Sequence, residues 1–285
     1  MNLYDQLVAL QKLPHAFKEW QAYREQLTHY LMDNLKPEGT LAIWGAGSCQ
    51  DIDLQCLAQH FSSIVLLDKD EKGMQAALTR YGLKECKSIS YRVIDFVGIS
   101  EEDYRSYAGF LIGEVQRQRG KIDSQLLAYK AQEVLHTFQA RLSKREFSLG
   151  ETYEKSVVVG VHSQLFSMLE WIWTVILQAI AQEESSVRNQ IIAINDEGIV
   201  RFNQLVLDTT GGEIVIGCEE GKIGHLGTIQ GAYQGLVDIE RRLEQGQLQL
   251  LNTKTLHWPF HVAQGTIYKM RLQHLKKNTG FLNPF

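Results

Sequence analysis

Cysteine is scarce in this chain: four residues in 285, Cys49, Cys56, Cys86 and Cys218, with no CxxC pair and no zinc-ligand spacing. That argues against a disulfide framework and a structural metal site, so no metal is expected and a reduced, cytoplasmic protein is. An excess of positive charge is also missing. The formal net charge is −4 and the pI near 6.2, which leaves no global basic field to hold nucleic acid. The N-terminus has no basic start followed by an apolar core, so no signal peptide is expected. Internal repeats and low-complexity tracts are absent too. Residues 157–180 imitate a membrane span, with Glu170 as their single charge. Gly160, His162, Ser163 and Gln164 interrupt them, and a short β-branched strand joined to the helical stretch Leu165 to Ile180 accounts for their hydrophobicity without a membrane partner.

What the chain does have is 44% hydrophobic residues, enough for a full α/β core, arranged with clear punctuation. Leu41 to Trp44 is continuously apolar, as a central parallel strand buried on both faces should be. Gly45 and Gly47 then form a turn where backbone lies open to a ligand, and helical pattern follows through Ile52, Leu54 and Leu57. A second apolar strand, Ile64 to Leu67, ends in Asp68. Strand, glycine turn, helix and an acid about twenty residues on are the parts of a nucleoside pocket in a doubly wound sheet.

The remaining pattern fits one elaborated α/β domain. Residues 3–35 read as two helices broken near Pro14, forming an N-terminal cap over 1–37, and Lys36-Pro37-Glu38-Gly39 turns into the first strand. From about 100 to 155 a charged, amphipathic stretch replaces strand pattern and is read as a helical insertion within a domain spanning 38–285. Thr209-Thr210-Gly211-Gly212 reads as a turn into a strand over 213–218, and Gly221, Gly224, Gly227, Gly231 and Gly235 mark a loop that bends sharply or approaches a ligand. Residues 248–256 and 266–275 alternate enough to close the sheet as an antiparallel pair.

In their order these motifs resemble class I S-adenosylmethionine-dependent methyltransferases. Over roughly residues 38–275, GAGSC at 45–49 resembles the glycine loop, Asp68 the acid ending the second strand, Asp95-Phe96 the pair ending the third, VVVGVHSQL at 157–165 the fourth strand with its active-site edge, and TTGGEIVIGCEE at 209–220 the fifth. The resemblance implies a doubly wound, seven-stranded, mostly parallel sheet with N-terminal helices and a helical insertion, and S-adenosyl-L-methionine as cofactor.

It also implies roles. Gly45, Ala46 and Gly47 would cradle the cofactor, Asp68 would accept both ribose hydroxyls with Lys69 beside it, Asp95 would meet the adenine amino group with Phe96 against the ring, and Asp51 would hold the methionine amine. Asp51 also reads as a carboxylate in the first helical turn. His162 would face the acceptor as a general base, with Ser163 or Gln164 orienting it, and His162 and Ser163 would also line the cofactor site. A hydrogen-bonded structural histidine is the plainer reading of His162, and His225, His257 and His261 are not ranked against it.

A nicotinamide dinucleotide site uses the same strand, turn and acid, but its fingerprint wants glycine at position 50, where this chain has Gln50. A module that keeps the fold without its chemistry is the other alternative. No Asn-Pro-Pro-Tyr or Asp-Pro-Pro-Tyr follows the fourth strand, and there is neither an acidic triad of the magnesium-dependent kind nor a Pro-Cys nucleophile. A small-molecule or peptide-like acceptor is therefore expected, held between the fourth-strand edge and the insertion, where Tyr104, Tyr107, Phe110 and Tyr129 offer aromatic walls. The insertion is also a candidate homodimer surface.

Overall fold

The computed structural model describes residues 2–118, 122–144 and 149–278, and the chain divides into two compact units. The larger comprises residues 14–96, 147–163 and 200–285, the smaller residues 1–13, 97–146 and 164–199.

In the larger unit seven strands form one sheet: β1 (Thr40–Trp44), β2 (Ser63–Asp68), β3 (Ile89–Val93), β4 (Tyr153–Val159), β5 (Thr210–Lys222), β6 (Leu248–His261) and β7 (Thr266–Lys277), in the order β3-β2-β1-β4-β5-β7-β6. The first five pair in parallel, and β7 runs antiparallel to both β5 and β6. This is the doubly wound, mostly parallel sheet expected, closed by an antiparallel pair. Strand order reverses between β1 and β4, the topological switch point above which such sheets bind ligands. Helices α2 (Ala16–Glu19), α3 (Gln21–Asn34), α4 (Leu54–His60), α5 (Glu71–Arg80) and α10 (Ala232–Glu244) belong to this unit.

At the sheet's centre Trp44 is 1% exposed, so its indole N–H needs a partner inside the protein. It donates to Ser156 Oγ at 3.0 Å; Ser156 Oγ lies 2.6 Å from Thr210 Oγ1, which donates to the Val206 carbonyl at 2.6 Å. This buried chain links β1, β4 and β5 to a helix end. It also shows that Thr209-Thr210-Gly211-Gly212 is not a turn: β5 begins at Thr210, straight after a helix ending at Asp208. A shift of register opposite Tyr153 and Lys155 absorbs the two glycines, and a Cβ on Gly212 would lie 2.7 Å from the Glu154 carbonyl.

The smaller unit is helical: α1 (Leu3–Leu10), α6 (Glu101–Arg117), α7 (Ser124–Lys144), α8 (Ser167–Ile180) and the first part of α9 (Ser186–Asp208), whose residues from 200 onward count with the larger unit. Ser100 starts α6 with a reciprocal capping box to Asp103. The N-terminal region holds three helices where two were expected. The first groups with α6: Tyr4 stacks on Tyr104 at 5.8 Å, and Arg105 pairs with Asp5 at 3.2 Å. Of the aromatics expected to wall an acceptor cleft, Tyr104 and Tyr107 are 2% and 1% exposed and form this unit's own core, while Tyr129 is 59% exposed. Among the described residues no helix is long and apolar enough to cross a membrane.

Two helical glycines give a test with opposite signs. A Cβ on Gly109 of α6 meets nothing within 4 Å, whereas one on Gly198 of α9 would lie 2.1 Å from the Phe166 ring. Gly109→Ala should raise stability by about 0.5–1 kcal/mol through helix propensity. Gly198→Ala should lower it by about 1–3 kcal/mol, because a buried ring must move. Urea denaturation of the two variants checks both signs.

Candidate functional site

Loop 45–53 follows β1 and is held from several sides. Gly45 and Ala46 N–H donate to the Leu67 carbonyl at 2.8 and 3.2 Å, and Gly47 N–H donates to Asp68 Oδ2 at 2.8 Å. Arg80 and Tyr81, at the end of α5, donate to the carbonyls of Ser48 (2.7 Å) and Ile52 (2.7 Å). From α3, Arg24 donates to the Gln50 carbonyl at 2.9 Å and Thr28 Oγ accepts the Asp53 N–H at 2.9 Å. Gly45, Gly47 and Cys49 have φ of +67°, +46° and +46°; for Cys49 that is a conformation L side chains rarely adopt, kept by these surrounding bonds.

Sequence reasoning paired Gly47 with Asp68, and the structure joins them directly. The Asp68 carboxylate accepts Gly47 N–H on one oxygen and Asp70 N–H on the other (2.8 Å), leaving lone pairs free for further donors. A Cβ on Gly47 would meet only Asp68 Oδ2, at 3.9 Å, so the loop is open beside the carboxylate. Gly45 is covered instead: its Cβ would lie 2.5 Å from the Val161 side chain, just past β4. Lys69 is exposed, Ala46 is 6% exposed, and Asp95 is half-buried after β3, where Ile94 N–H donates to the Asp68 carbonyl at 2.9 Å. Phe96 packs on Trp44 and Phe202 at 5.5 and 5.3 Å between ring centroids.

Asp51 does not stand in a helical turn, as the sequence pattern suggested. Helix α4 starts at Leu54 and Asp53 is its cap, accepting the Gln55 and Cys56 amides at 3.1 and 3.0 Å. Both acids precede the same apolar run, and pattern alone cannot choose between them. Freed from capping, Asp51 sits where burial pushes its carboxyl up to about 6, against the pull of its own backbone amide and Arg24.

His162 is 0% exposed, and both of its ring nitrogens are taken by partners inside the protein, which leaves neither for an acceptor. Asn203 Nδ2 donates to Asp238 Oδ2 at 2.9 Å, so Asn203 Oδ1 faces the histidine and accepts from its Nε2–H at 2.8 Å. Nδ1 is then left to accept, and Cys218 Sγ stands 3.3 Å away. Burial depresses the histidine's pKa and raises the thiol's, so a neutral ring and a protonated thiol fit this chain of donors. Asp238 is paired with Arg242 at 2.8 Å. Two of the clustered glycines serve this histidine and not a ligand: a Cβ would come within 2.8 Å of its ring at Gly235 and within 2.4 Å of its carbonyl at Gly231.

The residue that sequence reading missed is Glu219. It is 2% exposed, accepts the Ser163 hydroxyl on Oε1 at 2.8 Å, and has no protein partner on Oε2. Two acids, Glu219 and Glu220, close the apolar run of β5, and the sequence alone does not say which of them is interior. Among the described residues no cluster of histidine, cysteine and acid could hold a metal ion.

No family model matches this sequence, and no curated protein does. Solved structures do resemble it in shape. Magnesium protoporphyrin IX methyltransferase from Synechocystis with bound SAM is 10% identical over 94% of this chain and 86% of that one, with a TM-score of 0.47. The N-methyltransferase NodS from Bradyrhizobium japonicum, in complex with S-adenosyl-L-homocysteine, is 13% identical over 97% and 99%, with a TM-score of 0.49. An rRNA methylase from Streptococcus thermophilus is 9% identical over 88% and 94%, with a TM-score of 0.41. With scores below 0.5, these likenesses assign neither cofactor nor acceptor to this chain.

The state of His162 predicts a pH dependence. Unfolded, it titrates near about 6.5; folded, at a lower value. The unfolded chain therefore takes up the proton first as pH falls, and native stability drops below about pH 6.5 until the lowered folded value is passed. The stability advantage of the native protein over His162→Gln should accordingly shrink by up to about 1.4 kcal/mol per pH unit below that point. Urea denaturation of both proteins between about pH 8 and about pH 5 measures the slope, and a constant difference would contradict the assignment.

Proposed function

We propose that the protein is an S-adenosylmethionine-dependent methyltransferase acting on a small-molecule or peptide-like acceptor. The observation that carries the reading is the Gly47–Asp68 junction between the ends of β1 and β2, beside the switch point, with an open glycine face next to a carboxylate that keeps free lone pairs. That geometry suits a ribose whose two hydroxyls donate to Asp68. When bound, the cofactor supplies an electrophilic methyl on a sulfonium, so the protein's task is alignment and exclusion of water. Gly45, Ala46 and Gly47 would line the backbone side, Asp95 would take the adenine amino group, and Asp51, a partly desolvated carboxylate, would favour the cationic end of the ligand.

Phe96 bears on adenine as a ring already fixed by Trp44 and Phe202. Lys69 and Ser163 complete the proposed contacts, and His162 would shape the floor beneath them as a positioning residue. Gln50 in place of a third glycine still speaks against a dinucleotide. The burial of His162 favours a second reading, a cofactor-binding module without methyl transfer, unless another group serves the acceptor. A homodimer through the helical insertion belongs to the proposal too, with exposed Leu126 and Tyr129 of α7 as candidate contacts.

Calorimetry with S-adenosylhomocysteine tests the cofactor. The native protein should bind it, and Asp68→Ala should bind about 10- to 150-fold more weakly, the equivalent of about 1.5–3 kcal/mol of charge-assisted hydrogen bonds. Asp68→Asn keeps one acceptor oxygen for the Gly47 amide while its NH2 meets the Asp70 amide, so binding that recovers only in part relative to Asp68→Ala separates loss of the ligand bonds from collapse of the loop. Absence of heat at millimolar ligand together with binding of NAD would overturn the reading.

A further inference from the structure

Where the sheet's parallel strands end, polar groups without partners gather among aromatic rings. Glu219 Oε2, the Tyr23 hydroxyl and Trp258 Nε1 are each buried and none has a hydrogen-bond partner, though their side chains are only 2–3% exposed. They belong together. Tyr23 stacks on Trp258 at 5.6 Å and 16°, Trp20 meets the same indole edge-on at 5.0 Å, and Trp258 also touches Phe260 and lies over Gly160, just past β4. The phenol of Tyr23 is pushed well up, chiefly by burial and then by the carboxylates of Asp51 and Glu219. Strand register brings Glu219 to the same part of the sheet: it pairs with Met270 of β7, which pairs with Leu256 of β6, two residues from Trp258. Pairing of β5 with β7 slips a register between Glu219 and Gly221, which lets Glu219 turn inward while Glu220 pairs with Arg271 and Lys269 on the other side.

A buried polar atom left unmatched costs about 1–3 kcal/mol, a penalty that a bound group with complementary donors and acceptors removes. A buried carboxylate oxygen that lacks a partner favours a cation with N–H donors. We propose that Glu219, held by Ser163, binds the amine of the acceptor and takes up its surplus proton on Oε2, with Tyr23 and Trp258 as the further polar groups of the same site. The step balances: an alkylammonium and a carboxylate become a neutral amine and a carboxylic acid, and the nitrogen recovers the lone pair that a nucleophile needs. Burial raises the carboxyl's pKa and so makes it a better base toward the ammonium. The Tyr23 oxygen can accept a second N–H, and Trp258 Nε1 can donate to an oxygen of the same ligand.

The inference rests on the methyl-transfer reading and deepens it by naming an amine as the acceptor class. Its test is arranged so that the two can fail separately. With S-adenosylhomocysteine present, tryptophan fluorescence is titrated with methylamine, benzylamine and agmatine, and with methanol and benzyl alcohol as neutral counterparts. At least one amine should bind more tightly than its alcohol, and Glu219→Gln and Tyr23→Phe should weaken that amine, Glu219→Gln by about 10- to 100-fold. Both variants should bind S-adenosylhomocysteine like the native protein and melt no lower, because each removes or softens an unmatched buried group. Alcohols that bind as well as amines, amine binding unchanged by Glu219→Gln, no amine binding while S-adenosylhomocysteine binds, or a lower melting temperature of Glu219→Gln with no change in ligand preference would each overturn the proposal. Loss of S-adenosylhomocysteine binding in the native protein would instead strike the methyl-transfer reading alone.

Discussion

The hydrogen bond from the Gly47 amide to the Asp68 carboxylate holds the candidate site together. It joins the loop after β1 to the end of β2, and the amides of Gly45 and Ala46 reinforce it on the Leu67 carbonyl. A loop with left-handed residues at 45, 47 and 49 has few bonds of its own and would sample many shapes. Here the carboxylate, Arg80, Tyr81, Arg24 and Thr28 specify one shape before any ligand arrives. Because Asp68 spends one lone pair per oxygen on backbone amides, the group that fixes the loop can also receive a ligand.

Around that junction the buried polar groups divide into two kinds. The first is fully matched: Cys218, His162, Asn203, Asp238 and Arg242 form one chain from donor to acceptor, with Gly231 and Gly235 pressed against the histidine so that it has a single place to be. Such a chain gives rigidity at the end of β4. The second kind is unmatched: Glu219, Tyr23 and Trp258 keep buried atoms without a protein partner. The contrast is what singles out Glu219, which the sequence motif around His162 did not.

Much of the sheet was legible because parallel strands buried on both faces read as continuous apolar runs, as Leu41 to Trp44 and Ile64 to Leu67 do, and because the glycine turn and Asp68 are close in sequence. What escaped depends on partners far along the chain. The surroundings of His162 come from residues 41 and 56 positions away. Nothing local distinguishes the capping acid Asp53 from Asp51, and the double glycine at 211–212 looks like a turn until the register opposite Tyr153 is seen. Glu219 reads as one of two acids leaving a strand; only the burial of β5 on both faces makes it an interior carboxylate. The pairing of α1 with α6 joins residues 100 positions apart, beyond the reach of helical periodicity.

The central claim is that the glycine loop and Asp68 form one ligand-binding junction. Amide NMR of the isotope-labelled protein titrated with S-adenosylhomocysteine addresses it most directly, since the Gly45, Gly47 and Asp70 amides each report on one side of that junction. These three signals are expected to shift first and together, along one saturation curve, while amides of the smaller helical unit such as Gly109 and Gly113 stay in place. Binding that leaves Gly47 and Asp70 unmoved and shifts other amides would contradict the account.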